Sequence, residues 1–250
     1  PAPTRDHTER MLTALGYAVR RDGDRVCLAG GGRLRAAPIA VPADISSAAF
    51  FLVGASIAPG SDLILEQVGM NPTRIGVINI LRAMGADLGI ERERELGAEP
   101  VADIRVRTAA LRGLEIPVDQ VPLAIDEFPA LFIAAACAEG ETLLTGAEEL
   151  RIKESDRIAV MAEGLAALGV QAEVLADGIR IQGRGREAAV FDGGSVQSHH
   201  DHRIAMAFAM AGLRASAPVE VRDCANVDTS FPGFAALAAR AGLVISEQKP

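Results

Sequence analysis

The sequence predicts an α/β protein built from repeated βαβαββ units, with helices buried inside and sheets on the outside. Three observations carry this expectation. Short glycine turns recur along the chain, apolar helices alternate with amphipathic ones, and the strands alternate apolar with polar residues.

The turns form two series. Gly16-Tyr17-Ala18-Val19, Gly85-Ala86-Asp87-Leu88, Gly169-Val170-Gln171-Ala172 and Gly242-Leu243-Val244-Ile245 each close a helical pattern and open a strand, at spacings of roughly 70–85 residues. Gly60-Ser61-Asp62-Leu63, Gly140-Glu141-Thr142-Leu143 and Ser216-Ala217-Pro218-Val219 each open a strand after an apolar helix. A partial unit is expected over 1–37, ending near the loop Gly30-Gly31-Gly32. Fuller units follow near 38–108, 113–183 and 188–247.

Within each full unit the first helix, at 48–57, 128–138 and 204–213, is apolar almost all round, which predicts burial on every side. Its many Ala and Gly residues permit close approach. The second helix, at 73–84, 155–168 and 231–241, is amphipathic. In the strands, Ile104 and Val106 interleave with Asp103, Arg105 and Arg107. Ile179 and Ile181 interleave with Arg180 and Gln182, and Val219 and Val221 with Glu220 and Arg222. Such alternation leaves one sheet face wet, whereas a doubly wound sheet would give continuous apolar strands.

Composition narrows the function. The 250 residues, 49% of them hydrophobic, suffice for one or two domains. A net charge of −8 provides no basic footprint for nucleic acid and no attraction to anionic membranes, so neither is expected as a partner. With no Trp and one Tyr, a base-stacking platform is not expected either. The apolar runs at 48–53 and 128–138 are too short to span a bilayer, and no signal peptide is visible. Three distant cysteines, Cys27, Cys137 and Cys224, read as reduced thiols in a cytoplasmic setting. The opening Pro1-Ala2-Pro3, without Met and in mid-pattern, is what a fragment or processed product shows.

Polar residues collect at the predicted helix starts: Asp44-Ile45-Ser46-Ser47, Asp126-Glu127, Lys153-Glu154-Ser155-Asp156-Arg157, His199-His200-Asp201-His202-Arg203 and Asp228-Thr229-Ser230. If the units repeat, these starts share one end of the helix bundle, where free N–H groups and helix dipoles suit anions. Asp44, Ser46, Ser47, Thr229 and Ser230 read most simply as N-caps. Asp126, just before an apolar helix, is either a cap or a buried base. Lys153 and Arg157 place like charge in a first helical turn, against the dipole. They form either a solvated start offset by Glu154 and Asp156, or a site that recovers the cost on binding an anion. Arg203 is either solvated or a bidentate grip for a carboxylate. The His199–His202 run lacks the Cys or Glu pattern that would complete a metal site. Cys137 sits in an apolar helix and reads as packing. No Walker loop or dinucleotide fingerprint is present.

Several motifs occur together in order: Thr4-Arg5-Asp6-His7-Thr8-Glu9, Met70-Asn71-Pro72-Thr73-Arg74, Ile125-Asp126-Glu127-Phe128-Pro129, Leu150-Arg151-Ile152-Lys153-Glu154-Ser155-Asp156-Arg157 and His200-Asp201-His202-Arg203-Ile204-Ala205-Met206. Taken together, the chain resembles the 5-enolpyruvylshikimate-3-phosphate synthases over nearly its whole length. Its Met-Asn-Pro-Thr-Arg and Thr-Ser-Phe-Pro segments resemble the glyphosate-tolerant bacterial class. The resemblance implies the enolpyruvyl transferase fold, an inside-out α/β barrel. Residues 1–42 would be the tail of an N-terminal domain and 43–250 most of the C-terminal domain. The missing N-terminal domain of the same enzyme would complete the site. The implied reaction transfers the enolpyruvyl group of phosphoenolpyruvate to the 5-hydroxyl of shikimate 3-phosphate, with no metal or organic cofactor. The fragment alone is expected to be inactive.

By the same resemblance Asp126 is the base or orients the hydroxyl, and Glu154 protonates C3 of the enolpyruvyl group and later removes a proton. Lys153 contacts the reacting hydroxyl. Arg157 and Arg203, with His202 beside them, grip the phosphoenolpyruvate. Thr229 stands where some members carry a Lys, which implies a phosphate contact that is either weaker or supplied from elsewhere. The alternatives are a UDP-N-acetylglucosamine enolpyruvyl transferase, which shares the fold but has a reactive Cys not seen here, and a non-catalytic α/β interaction module.

Overall fold

A computed structural model describes residues 5–185 and 187–248. The predicted opening at Pro1 and Thr4 of the first motif lie outside the described residues. The partial unit consists of helix α1 (His7–Ala14) and the hairpin β1 (Val19–Asp22) and β2 (Arg25–Leu28). An exposed, irregular stretch follows it.

The first full unit contains α2 (Ile45–Ile57), β3 (Asp62–Gly69), α3 (Gly76–Ala83), β4 (Asp87–Leu96) and β5 (Glu99–Arg107). The second repeats it with α4 (Phe128–Ala136), β6 (Glu139–Leu144), α5 (Arg157–Ala167), β7 (Ala172–Val174) and β8 (Ile179–Arg184). Strand order makes the repeat concrete. The sheets run β3-β5-β4 and β6-β8-β7, antiparallel throughout, with the last strand of each unit in the centre. In the third unit β9 (Gly194–Gln197) pairs in parallel with β10 (Val219–Arg222) across α6 (His202–Ala211), before α7 (Val227–Ser230) and α8 (Phe234–Arg240).

The expected leading strand of each unit is a full ladder only in the third. In the first two units it shrinks to isolated parallel bridges, Ala43 to Val68, Arg112 to Glu139 and Glu115 to Leu143. A second expected strand is absent: the residues after Gly242 are irregular and Val244 is fully exposed. An extended segment needs a neighbour for its N–H and C=O groups, and among the described residues none lies alongside.

The three apolar helices form the core. Every residue of α2 except Ser47 is buried, as is all of α4. Close approach is read at two glycines. A Cβ on Gly54 would stand 3.0 Å from Met210 Sδ, and one on Gly164 only 2.2 Å from the Phe208 ring, so α6 packs tightly on both α2 and α5. The amphipathic helices and the sheets cover this bundle. The wet-face expectation fails at Asp103, which is 3% exposed. Bulges in β3 and β4 aim Gln67 N at its Oδ1, at 2.9 Å, and bring Arg92 and Arg94 over it. Asp103 stays on the outer face, opposite Ile104 and Val106, and is shielded there by the arginines laid across it, which themselves remain in contact with water.

Candidate functional site

Parallel packing of α2, α4, α5 and α6 brings their N-termini together. Their flanking side chains form a plate of interlocked charges. Asp44 caps α2, accepting from Ser46 N and Ser47 N, so the cap reading holds for Asp44. Ser46 does something else: its buried hydroxyl donates to Glu127 Oε1 at 2.5 Å. Asp126 is not a cap; Glu127 occupies that position in α4, and no side chain there makes a cap hydrogen bond.

Asp126 instead lies among five cations. Its Oδ2 is bonded by Arg5 and lies 3.5 Å from Arg74 and 4.0 Å from Arg203, while Oδ1 faces Lys153 Nζ at 3.6 Å and Arg157 Nη1 at 3.7 Å. Arg203 Nη1 donates to the Asp126 carbonyl at 3.1 Å. Burial pushes the Asp126 carboxyl up, but Arg203, Arg5 and Lys153 outweigh it and hold it down at about 2. Next to it, burial pushes the Glu127 carboxyl up, against the pull of Arg74.

The segment 153–157 differs from the expected helix start. Lys153 ends a short 3-10 turn (Glu148–Ile152), and α5 begins only at Arg157, capped by Asp156 through Ala159 N. Lys153 is therefore clear of the helix dipole. It pairs with Glu149 as well as Asp126, rather than with Asp156. Arg157 is fully buried. Its Nε meets Asp201 Oδ2 at 2.8 Å and its Nη2 meets Glu154 Oε2 at 2.6 Å, while Nη1 has no hydrogen-bond partner among the described residues. Asp201, itself 0% exposed, also caps α6 through Arg203 N. Burial alone would raise its carboxyl; the Arg157 bond and charge lower it overall. His202 opens α6, and burial together with Arg203 holds its imidazole below the ordinary range, which favours the neutral ring. Glu154 is half exposed at the mouth of the cluster.

Asp126, Lys153, Glu154, Arg157, His202 and Arg203 thus share one surface. Thr229 is placed apart: it is exposed in the short α7, its hydroxyl donates to Asn226 O, and none of its contacts joins it to the cluster. Each cation of the plate already has a carboxylate partner, because clustered unpaired charge inside a protein would be expelled or neutralised. Arg5, Ser46, Arg74, Glu127 and Asp201 were not singled out as site residues by sequence. Arg5, Arg74, Glu127 and Asp201 stood inside the quoted motifs, but nothing in their spacing shows that 46, 74 and 127 meet.

A groove of about 430 Å3 beside α1, lined by residues such as Asp6, Arg10, Val19 and Gly97, contains none of these groups. Among the described residues no three His, Cys, Asp or Glu side chains gather as a metal site, and no helix is long and apolar enough to cross a membrane. Cys137 is buried, its thiol pushed up to about 12, as a packed side chain rather than a nucleophile.

Residues 1–237 match the family model for EPSP synthase (3-phosphoshikimate 1-carboxyvinyltransferase). Among curated relatives, the 3-phosphoshikimate 1-carboxyvinyltransferase of Alkalilimnicola ehrlichii is 69% identical over 98% of this chain and 54% of its own length. That of Halorhodospira halophila is 66% identical over 100% and 55%. The EPSP synthase structure from Acinetobacter baumannii superposes with a TM-score of 0.96 at 59% identity, over 99% of this chain and 57% of that one. The enolpyruvyl transferase NikO from Streptomyces tendae, at 19% identity and TM-score 0.76 over 100% of this chain and 56% of that one, shares the fold. The chain spans about half the length of the curated relatives it matches.

Proposed function

The chain belongs to the EPSP synthase (3-phosphoshikimate 1-carboxyvinyltransferase) family, and from that premise we propose that it supplies one wall of an active site joining phosphoenolpyruvate to shikimate 3-phosphate. The 5-hydroxyl oxygen adds to C2 of phosphoenolpyruvate as its proton passes to Asp126, while C3 gains a proton from Glu154, itself protonated from solvent. Loss of that proton and departure of phosphate then give 5-enolpyruvylshikimate 3-phosphate. In this reading residues 1–42 belong to an N-terminal domain and 43–250 to the C-terminal one, and the opposing wall comes from outside this sequence. We place the enzyme in the cytoplasm, in keeping with three unpaired cysteines.

The observation that carries the proposal is the convergence of Lys153, Arg157 and Arg203 on Asp126. At about 2, the Asp126 carboxyl is too weak a base to take a hydroxyl proton unaided. Its first task is to accept a hydrogen bond from the 5-hydroxyl and orient it. When substrate carboxylate and phosphate draw Arg203 and Lys153 toward themselves, Asp126 loses part of its counter-charge and its basicity rises. Lys153 stands beside the reacting hydroxyl. Half-exposed Glu154 delivers the proton to C3 and takes one back. Arg157 lies buried beside Asp126, so its unbonded Nη1 would meet the incoming carboxylate only once the Asp126 side chain shifts aside, and Arg203 with neutral His202 completes the grip. Thr229 would reach phosphate only after a shift of the α7 turn. No step calls for a metal or organic cofactor.

Steady-state phosphate release by the complete enzyme, with both substrates, tests this. Turnover that needs both and collapses in Glu154→Gln supports the assignment; full turnover in that variant sinks it. The UDP-N-acetylglucosamine reading gains no support from the family match, and the same assay with that acceptor separates the two.

A further inference from the structure

We propose that Glu127 is a positioning residue, which through Arg74 keeps one oxygen of Asp126 free for the substrate hydroxyl. The inference rests on the role given to Asp126 above. Asp126 and Glu127 are neighbours at the start of α4, one facing the plate and the other sealed beneath it. The Glu127 side chain is wholly buried, so it touches no substrate. Its Oε1 accepts from Ser46 Oγ at 2.5 Å and from Arg74 Nη2 at 2.9 Å, and lies 3.9 Å from Arg203 Nη1. Its Oε2 has no hydrogen-bond partner among the described residues.

Arg74 spans the two acids. Nη2 serves Glu127 and, at 2.6 Å, Ser46 Oγ, while Nη1 reaches Asp126 Oδ2 at 3.5 Å. A buried acid with one bare oxygen weakens a fold. Its use lies in what the other oxygen holds. Glu127 draws the guanidinium down, so that Arg74 makes only a long contact with Asp126, on Oδ2. Asp126 Oδ1 is left facing Lys153 and Arg157 at 3.6 and 3.7 Å, beyond hydrogen-bond length. Without the Glu127 charge, Arg74 moves wholly onto Asp126 and the carboxylate turns with it.

The test uses the complete enzyme. For Glu127→Gln, kcat falls about tenfold while KM for both substrates stays within about twofold and the thermal midpoint does not drop. A kcat within about twofold of the parent, or a KM that rises as kcat falls, overturns the proposal. Should that variant not fold, Ser46→Ala, which removes the hydroxyl shared by Glu127 and Arg74, is expected to lower kcat about threefold at unchanged KM, and unchanged kcat overturns the proposal. Asp126→Asn is measured alongside. If it keeps its turnover, the role of Asp126 itself is wrong. If it loses turnover while Glu127→Gln and Ser46→Ala do not, only the positioning role falls.

Discussion

Arginine meets carboxylate in two kinds of place in this molecule. On the β3-β5-β4 sheet, Arg105 and Arg107 bridge Asp62 and Asp87 across exposed strands. At the helix starts, Arg157, Asp201, Arg74 and Glu127 make the same kinds of bond inside the protein. The outer ladder needs no other support: water solvates what the partners do not, and removing one side leaves a hydrated charge. The inner plate has no such reserve. Two of its atoms, Arg157 Nη1 and Glu127 Oε2, have no hydrogen-bond partner among the described residues, though Nη1 lies 3.7 Å from Asp126 Oδ1, and buried ion pairs in general are often no more stable than apolar residues of similar volume. Charge kept inside the protein at such a cost is what the proposed role of this surface accounts for.

Breaking the inner plate is expected to have the largest effect. Arg157→Met leaves Asp201 buried and uncompensated, and urea unfolding is expected to show a loss of about 3–5 kcal/mol; a loss below about 1 kcal/mol would make the plate no different from the ladder. Asp126→Asn in the complete enzyme is expected to lower kcat about a thousandfold, read by phosphate release. Turnover within about tenfold of the parent contradicts the functional reading of the plate.

Acid sharpens the contrast. The folded Asp126 carboxyl sits at about 2 against an ordinary 3.8, so its contribution is present above about pH 4 and is lost as pH falls through 2. The stability gap between the parent and Asp126→Asn is expected to shrink by roughly 2 kcal/mol over that interval. Glu127, raised by burial, runs the other way: its contribution is present at low pH and fades as pH rises through its raised value. A gap that stays constant from pH 5 to pH 2 would mean that the cations around Asp126 do not hold its charge. The smallest effect is expected on the ladder. Asp62→Asn should leave the thermal midpoint within measurement error, and added salt should not change that.

Much of this was legible in the residues. The period of the glycine turns and the two kinds of helix gave the repeated units, because burial on all sides and burial on one side leave different patterns in a helix. The motifs at 126, 153–157 and 202–203 pointed to one charged surface, and the Asp44 cap was readable from local chemistry. Helix starts were less certain: the helix expected from 155 begins at Arg157, leaving Lys153 outside its first turn, since Asp156 rather than the charged run sets the cap.

Periodicity by itself determined the units, and the motifs, through their resemblance, pointed to the family and the residues worth watching, since each is a property of neighbours along the chain. Only the tertiary structure decided that arginines from β4 cover Asp103, that Thr229 stands apart from the cluster, and that Ser46, Arg74 and Glu127 meet beneath Asp126. Those contacts join residues dozens of positions apart, and burial there, not residue type, decides which charges are paired and which are left over.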